Sequence, residues 1–129
     1  MSNQHLEEFT LTVTLNKEDV PQFNYTQLEN GQNVPVTGSF VVSTPTTIRY
    51  YLIDKTEKGL EFTGAAFTTP FDNVIDSVEL GEDQRGPYID LIDSDAQPGK
   101  TGFRFVLSVK NSKLLMMSPD PEVINRGTA

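Results

Sequence analysis

Apolar and polar residues alternate with a period of two along most of this chain, which is the pattern of β-strands with one buried face. The alternation is clearest over Phe9–Leu15, where large apolar residues alternate with Thr10, Thr12 and Thr14. Alternation or a high content of β-branched and aromatic residues predicts seven further strands, at Ser39–Ser43, Thr46–Asp54, Leu60–Phe67, Val74–Leu80, Tyr88–Asp93, Gly102–Lys110 and Leu114–Met117. The only helix that the pattern favours is Lys17–Val20, which Pro21 ends.

Turn residues separate these segments at spacings of about 10 residues, as at Asn30-Gly31 and Pro98-Gly99. Short strands at that spacing are typical of a sandwich or a barrel. We therefore predict that residues 1–129 form one all-β domain. Its expected architecture is an antiparallel β-sandwich of about eight strands, followed by an extended C-terminal segment over residues 118–129.

The amino-acid composition of the chain excludes some classes of function and argues against others. The chain has no cysteine and a single histidine, His5, which excludes thiolate chemistry and argues against a His-dependent triad or a multi-histidine metal site. A formal net charge of −8 argues against nucleic acid and anionic membrane as partners, because phosphate binding needs clustered Lys and Arg. The sequence shows neither a signal peptide nor an apolar run of ~20 residues. We therefore expect a cytoplasmic protein that uses no cofactor.

Two carboxylates lie on predicted strands among apolar neighbours. Asp76 shares a strand face with valines, and Asp90 shares one with Tyr88. If these faces are buried, the carboxylates need compensating cations, and Arg49 and Arg104 are their natural partners. The alternative is that both faces are exposed. The acidic run DLIDSD has the composition of a calcium site, but its spacing differs from an EF-hand loop and favours a solvated turn.

The C-terminal segment Ser118–Arg126, SPDPEVINR, combines stiffness with an unusual bond. Pro121 disfavours helical geometry at Asp120, and Pro119 has a fixed φ, so the segment is predicted to be extended. Cleavage of the Asp120–Pro121 bond releases a secondary amine, and protonation of that nitrogen makes its expulsion easier. The Asp120 carboxyl can also attack its own carbonyl carbon through a five-membered ring, which makes it an intramolecular nucleophile.

Other side chains could assist such a cleavage. A carboxyl with a raised pKa could protonate the Pro121 nitrogen, or an ionised carboxylate could activate a water, as in aspartic proteases. An amine could instead capture the activated Asp120 in an isopeptide link. The candidate side chains are the carboxylates Asp90, Asp93, Asp76 and Glu122 and the amines Lys100 and Lys110. One Asp-Pro pair is unsurprising in a chain with 8 prolines, so an inert turn or linker stays open as the alternative.

The pair Asp120-Pro121, followed by Glu122 on a cysteine-free and β-rich chain, resembles the DP-EP family of small bacterial proteins. The resemblance implies a β-sandwich with aspartic-peptidase-like processing of its own Asp-Pro bond. Asp120 and Pro121 match the two residues of that bond, whereas Val123 stands where the family's name suggests a second proline. The motif identifies no assisting carboxylate, so that assignment comes from the physical argument alone.

Two classes of function are therefore predicted. The first is a self-cleaving peptidase in which the strand Glu122–Arg126 stays docked after the cut, so that the chain's own C-terminal segment is its partner. In this reaction Asp90 and Asp93 are the assigned assisting carboxylates, and Lys100 is the assigned capturing amine. The second is a non-catalytic binding or assembly module that presents its threonine-rich strand face and Tyr50 or Tyr51 to a polar ligand such as a carbohydrate or peptide. The sequence leaves the oligomeric state open.

Overall fold

The structure is a computed structural model that describes residues 5–119 and 121–126. Within these residues the chain forms eleven strands: β1 (His5–Leu15), β2 (Pro21–Glu29), β3 (Gln32–Val36), β4 (Phe40–Val42), β5 (Thr46–Asp54), β6 (Leu60–Phe67), β7 (Ser77–Asp83), β8 (Gly86–Asp93), β9 (Gly99–Val109), β10 (Leu115–Met117) and β11 (Glu122–Asn125). A helix long and apolar enough to cross a membrane is absent from the described residues.

The strands form two sheets that pack face to face. One sheet has six strands in the order β3-β2-β1-β5-β8-β7, and the other has five, in the order β10-β9-β11-β4 with β6 on β9. Alternate residues of both sheets meet in one core, which includes Phe9, Leu11, Tyr50 and Leu91 from the first sheet and Phe103, Phe105, Leu107 and Val123 from the second. The predicted all-β sandwich is therefore confirmed.

The sheets differ in detail from the sequence prediction. The described residues hold eleven strands rather than about eight, and the pairs β1–β5 and β4–β11 are parallel. Two of the additional strands, β2 and β3, form a hairpin around Asn30 and Gly31. Both residues have positive φ, 50° and 80°, as a tight primed hairpin turn requires. The turn predicted at Asn30-Gly31 is therefore confirmed, and it is the turn of a hairpin whose two strands were not predicted.

The helix predicted at Lys17–Val20 is wrong, because this segment is a turn between β1 and β2. The Asn16 Oδ1 atom accepts hydrogen bonds from the backbone N–H groups of Glu18, at 2.8 Å, and Val20, at 3.0 Å. Asp19 adopts a left-handed φ of 61°. A side chain that binds backbone donors in this way stabilises a turn in competition with a helix.

Tyr50 connects the core to the loop that precedes β4. Its ring stacks on Phe9 at 4.9 Å and meets Phe105 of the opposite sheet edge-on at 4.7 Å. Its hydroxyl donates a 2.6 Å hydrogen bond to the carbonyl oxygen of Gly38. Gly38 has a φ of +87°, and a Cβ atom there would lie 2.9 Å from Cγ of Tyr25. Glycine is therefore needed at position 38, and the hydrogen bond from Tyr50 fixes this loop to the core.

Candidate functional site

The residue two positions before the Asp-Pro bond is fixed to β9. Ser118 is buried, and its backbone N–H donates to the carbonyl oxygen of Phe105 at 2.9 Å. The Ser118 Oγ atom accepts a hydrogen bond from the Phe105 N–H at 2.7 Å and donates to the carbonyl oxygen of Pro119 at 3.2 Å. These three bonds hold the chain on the N-terminal side of the bond in one position.

The C-terminal side of the bond is fixed as well. Pro121 is buried, and its carbonyl oxygen accepts a 3.0 Å hydrogen bond from the N–H of Phe103. The next N–H, that of Glu122, donates to Ser39 Oγ at 2.9 Å. Ser39 follows Gly38 directly, so the loop held by Tyr50 contributes to this anchor. Asp120 itself lies outside the described residues.

The strand register shows that the tail of the chain has one residue more than the stretch of β9 that it faces. Met117 lies opposite Val106, and Glu122 lies opposite Gly102, so five steps of the tail face four steps of β9. An extra residue of this kind interrupts the ladder as a β-bulge does, and such bulges are common beside active sites. The β9 residue between the two anchoring positions is Arg104, whose side chain is exposed.

Two grooves open beside this interruption. One has a volume of about 480 Å³ and is lined by Pro119, Pro121 and the buried Tyr25, together with neighbours on β2 and β3. The other has a volume of about 710 Å³ and includes Lys100 and Arg104 in its lining. The prolines on both sides of Asp120 therefore border a space that water can enter.

Lys100 lies close to the C-terminal side of the predicted cleavage site. It stands opposite Ile124 in the β9–β11 ladder, and its Nζ atom is 4.0 Å from Oε2 of Glu122. Both side chains are largely exposed, so this ion pair contributes little to stability. The structure thus brings together two residues that the sequence analysis singles out, Lys100 and Glu122, and Glu122 directly follows Pro121 in the chain.

Asp90 lies on the outer face of the other sheet. Its two carboxylate oxygens accept hydrogen bonds from Arg49 Nε, at 2.8 Å, and from the second guanidinium nitrogen, at 3.0 Å. The Arg49 guanidinium also stacks 3.9 Å from the ring centre of Tyr88. Bidentate pairing with Asp90 raises the pKa of Arg49. The predicted partnership with Arg49 is confirmed, and this pair lies on the six-stranded sheet, whereas Pro121 is bound to β9 of the other sheet.

Asp93 is fully buried at the end of β8 and contacts the far end of β11. Its Oδ1 atom accepts hydrogen bonds from Asn125 Nδ2, at 3.0 Å, and from the Asp95 N–H, at 2.8 Å. Its Oδ2 atom has no hydrogen-bond partner among the described residues. Loss of hydration raises the pKa of Asp93 to about 6, and the charges of Asp95 and Asp76 add to the rise.

The distance along β11 separates Asp93 from the predicted bond. Four residue steps lead from Pro121 to Asn125, which corresponds to about 13 Å in an extended strand. Asp93 therefore holds the end of the strand that follows the bond and does not contact Pro121 directly. Asp76, the other strand carboxylate of the sequence analysis, is exposed and accepts a hydrogen bond from the Ser94 N–H.

The acidic run DLIDSD is split between the two faces of its sheet. Asp90 points outward to Arg49, whereas Asp93 points inward with Ile89 and Leu91. In the described part of the chain, no group of three or more His, Asp or Glu side chains is arranged to hold a metal ion.

Sequence reasoning missed the residues that anchor the bond. Ser118 and Ser39 belong to no recognisable motif, and only the strand register shows that they bind the backbone next to the bond. Arg104 was identified in the sequence only as a possible partner for a strand carboxylate. Asn125 carried a usable signal, because a buried asparagine must satisfy its amide. Its Nδ2 group donates to Val74 O, Asp93 Oδ1 and Gln97 O, each at 3.0 Å.

Comparison with known protein families identifies a match that covers most of the chain. A family model described as the DP-EP family matches residues 7–127. This range includes the Asp120–Pro121 bond, both of its anchors and Arg104. No curated protein matches the chain.

Proposed function

This chain belongs to the DP-EP family, and from that premise we propose that it is an aspartic-type peptidase that cuts its own Asp120–Pro121 bond. The observation that carries the proposal is the pair of anchors on β9. Ser118 is bound to Phe105 and Pro121 to Phe103, so the chain is held on both sides of the bond rather than forming a free linker. Anchoring both ends of a short segment limits its conformations and favours an intramolecular attack.

In the proposed reaction, a side-chain carboxylate oxygen of Asp120 attacks the carbonyl carbon of the same residue. The carbon–nitrogen bond to Pro121 breaks, and the Pro121 nitrogen takes up a proton and leaves as a secondary amine. The remaining cyclic anhydride then adds one water molecule and opens to two carboxyl groups, one on the side chain and one at the new C-terminus. The net change is hydrolysis of one peptide bond.

Two neighbouring side chains suit the demands of this reaction. Arg104 lies on β9 between the two anchoring residues, where a guanidinium would stabilise the ionised nucleophile. Tyr25 is a buried phenol in the same groove as both prolines, and we assign it to proton delivery to the Pro121 nitrogen. Asp90 and Asp93 then act in folding and strand retention, respectively, and Lys100 remains the amine placed to compete with water.

The proposed reaction also predicts the fate of the product. β11 pairs with β9 on one side and with β4 on the other, and Val123 is fully buried in the core. These contacts do not depend on the cut bond. The released strand should therefore stay in the sheet under native conditions.

Intact mass of purified protein tests the proposal directly. The protein is incubated for weeks at several pH values between about 4 and 8, and samples are measured under denaturing conditions. We expect fragments 1–120 and 121–129 to appear together. An N-terminal fragment lighter by one water would identify capture of Asp120 by a lysine such as Lys100.

Two variants serve as controls. Asp120→Ala removes the nucleophile and should stay intact throughout. Tyr25→Phe keeps the ring packed against Gly38 while removing the hydroxyl, and should slow cleavage without changing the fold. A wild-type chain that stays full length over weeks at every pH would refute the proposal and leave a non-catalytic module as the alternative.

A further inference from the structure

We propose that the groove between β9 and β4 is a binding site for an extended peptide that begins with a free proline. Its occupant is the C-terminal segment of this chain, and after cleavage the segment can be exchanged for that of a second copy. This inference rests on the proposed function, because the cut at Asp120–Pro121 creates the free proline. The inference goes further than the proposed function, because it treats the released C-terminal segment as a ligand that another copy can replace.

The backbone contacts of β11 are those of a peptide added to a sheet. The strand is antiparallel to β9 over Glu122–Asn125 and parallel to β4 over Val123–Asn125. Hydrogen bonds from Phe103 N–H to Pro121 O and from Arg126 N–H to Val42 O close the two ends, each at 3.0 Å. Main-chain bonds of this kind give affinity for any extended segment, and side-chain pockets then give specificity.

Every second side chain of the segment is buried in its own pocket of the protein. Pro121, Val123 and Asn125 are all buried, whereas Glu122 and Ile124 are only partly buried on the other face. The site therefore selects residues at the first, third and fifth positions of the peptide. Proline and valine are recognised by shape in an apolar environment.

The fifth position is recognised by hydrogen bonds. The amide nitrogen of Asn125 binds the Asp93 carboxylate and the carbonyl oxygens of Val74 and Gln97. A peptide without this amide leaves the buried acceptors Val74 O and Asp93 Oδ1 and the partly buried Gln97 O less well satisfied, which strongly disfavours its binding. The recognised sequence is therefore proline, any residue, a small β-branched residue, any residue and asparagine.

The surface that would be exposed if the groove were empty indicates which peptide occupies it. Within the described sheet, β4 has β11 as its neighbour, so loss of β11 leaves the three-residue strand β4 without its ladder. It also opens the core where Val123 is fully buried. A second copy of this chain supplies a segment that matches all three pockets and restores both features.

Peptide exchange tests the inference. Wild-type protein is aged until denaturing mass spectrometry shows the cut, and a synthetic peptide of residues 121–129 carrying heavy isotopes is added in excess. Native mass spectrometry then follows replacement of the light segment. We expect the light segment to be retained at first and then replaced by the heavy one. The intact Asp120→Ala protein should take up no peptide, because its own strand remains tethered.

Matched peptides test the proposed specificity. Asn125→Leu keeps the size of the side chain but removes its amide, and we expect uptake to fall at least tenfold. Ile124→Thr changes an outward position, and its uptake should stay within about twofold of the wild-type peptide. Equal uptake of both variants would overturn the assignment of Asn125 as the specificity determinant.

The remaining outcomes separate this inference from the proposed function. If the chain is cut but the segment leaves the native protein, or never exchanges, the binding site is refuted while self-cleavage stands. If the chain is never cut, self-cleavage is refuted. The two-chain protein is then made by co-expressing residues 1–120 with residues 121–129, and uptake of heavy peptide by that complex decides the binding site.

Discussion

Asp93 illustrates how one buried carboxyl can make stability depend on pH. Burial raises its pKa from 3.8 to about 6, despite hydrogen bonds from Asn125 and the Asp95 N–H. Because the folded protein holds the proton more tightly than the unfolded chain, the stabilising contribution is complete below pH 3.8 and is lost as pH rises through about 6.

The Asp93→Asn variant should reveal this dependence. We expect wild-type stability, measured relative to the variant by chemical denaturation, to fall by up to about 3 kcal/mol between pH 4 and pH 7. The variant cannot titrate at this position, so it is the reference for the wild-type protein. Parallel pH profiles for the two proteins would show that Asp93 is ionised at little cost in the folded state.

Arg104 should affect the pH dependence of cleavage rather than the fold. If Arg104 stabilises the ionised nucleophile as proposed, Arg104→Gln should move the acidic limb of the pH–rate profile up by about one unit. A merely structural role would lower the rate equally at every pH. Arg85→Gln is a suitable control, because Arg85 stacks on Tyr51, at 4.1 Å, on the other sheet.

At the scale of elements, β11 is short, but it completes the core. Val123 is fully buried, whereas the neighbouring Ile124 is only half-buried. Val123→Ala should therefore cost roughly 2–3 kcal/mol of unfolding free energy through lost burial and a cavity. Ile124→Val should cost less than about 1 kcal/mol. Denaturant titration of the Asp120→Ala background measures both without interference from cleavage, and equal losses would contradict the assigned orientation of the strand.

The strands that sequence reasoning located best are those with a strong local pattern. Thr46–Asp54 and Leu60–Phe67 have the same bounds in the prediction and in the structure. The hairpin of β2 and β3 was missed although Phe23 and Tyr25 alternate with polar residues and a strong turn signal follows. The segment was not predicted as a strand because Pro21 and its polar composition argued against one, although the alternating pattern was present.

Pairing between distant strands could not be predicted in the same way. The parallel pair β1–β5 and the insertion of β11 between β9 and β4 depend on the assembled core rather than on any local segment. Residues of the candidate site could not be predicted for the same reason, because they come together only in the assembled sheets. The Asp-Pro bond was visible in the sequence, whereas Arg104 and Ser118 become relevant only through the register, and Asp93 meets Asn125 across 32 positions.

For the whole molecule, the proposed cleavage would change the connectivity of the chain and leave the strand pairing of β11 in place. The intact chain holds β11 at an effective concentration that is about millimolar for a short linker. After the cut, unfolding releases two chains instead of one. The stability of the cut protein therefore depends on its total concentration, whereas that of the intact protein does not.

This difference can be measured by thermal unfolding over a range of concentrations. Each tenfold dilution of the cut protein should lower its stability by about 1.4 kcal/mol, which corresponds to roughly 4–6 °C in Tm for a domain of this size. The Asp120→Ala protein, which differs at one position and stays intact, should show a constant Tm. If the cut protein also melted at a constant Tm, release of the segment would not be coupled to unfolding, and β11 would not behave as a bound ligand that completes the fold.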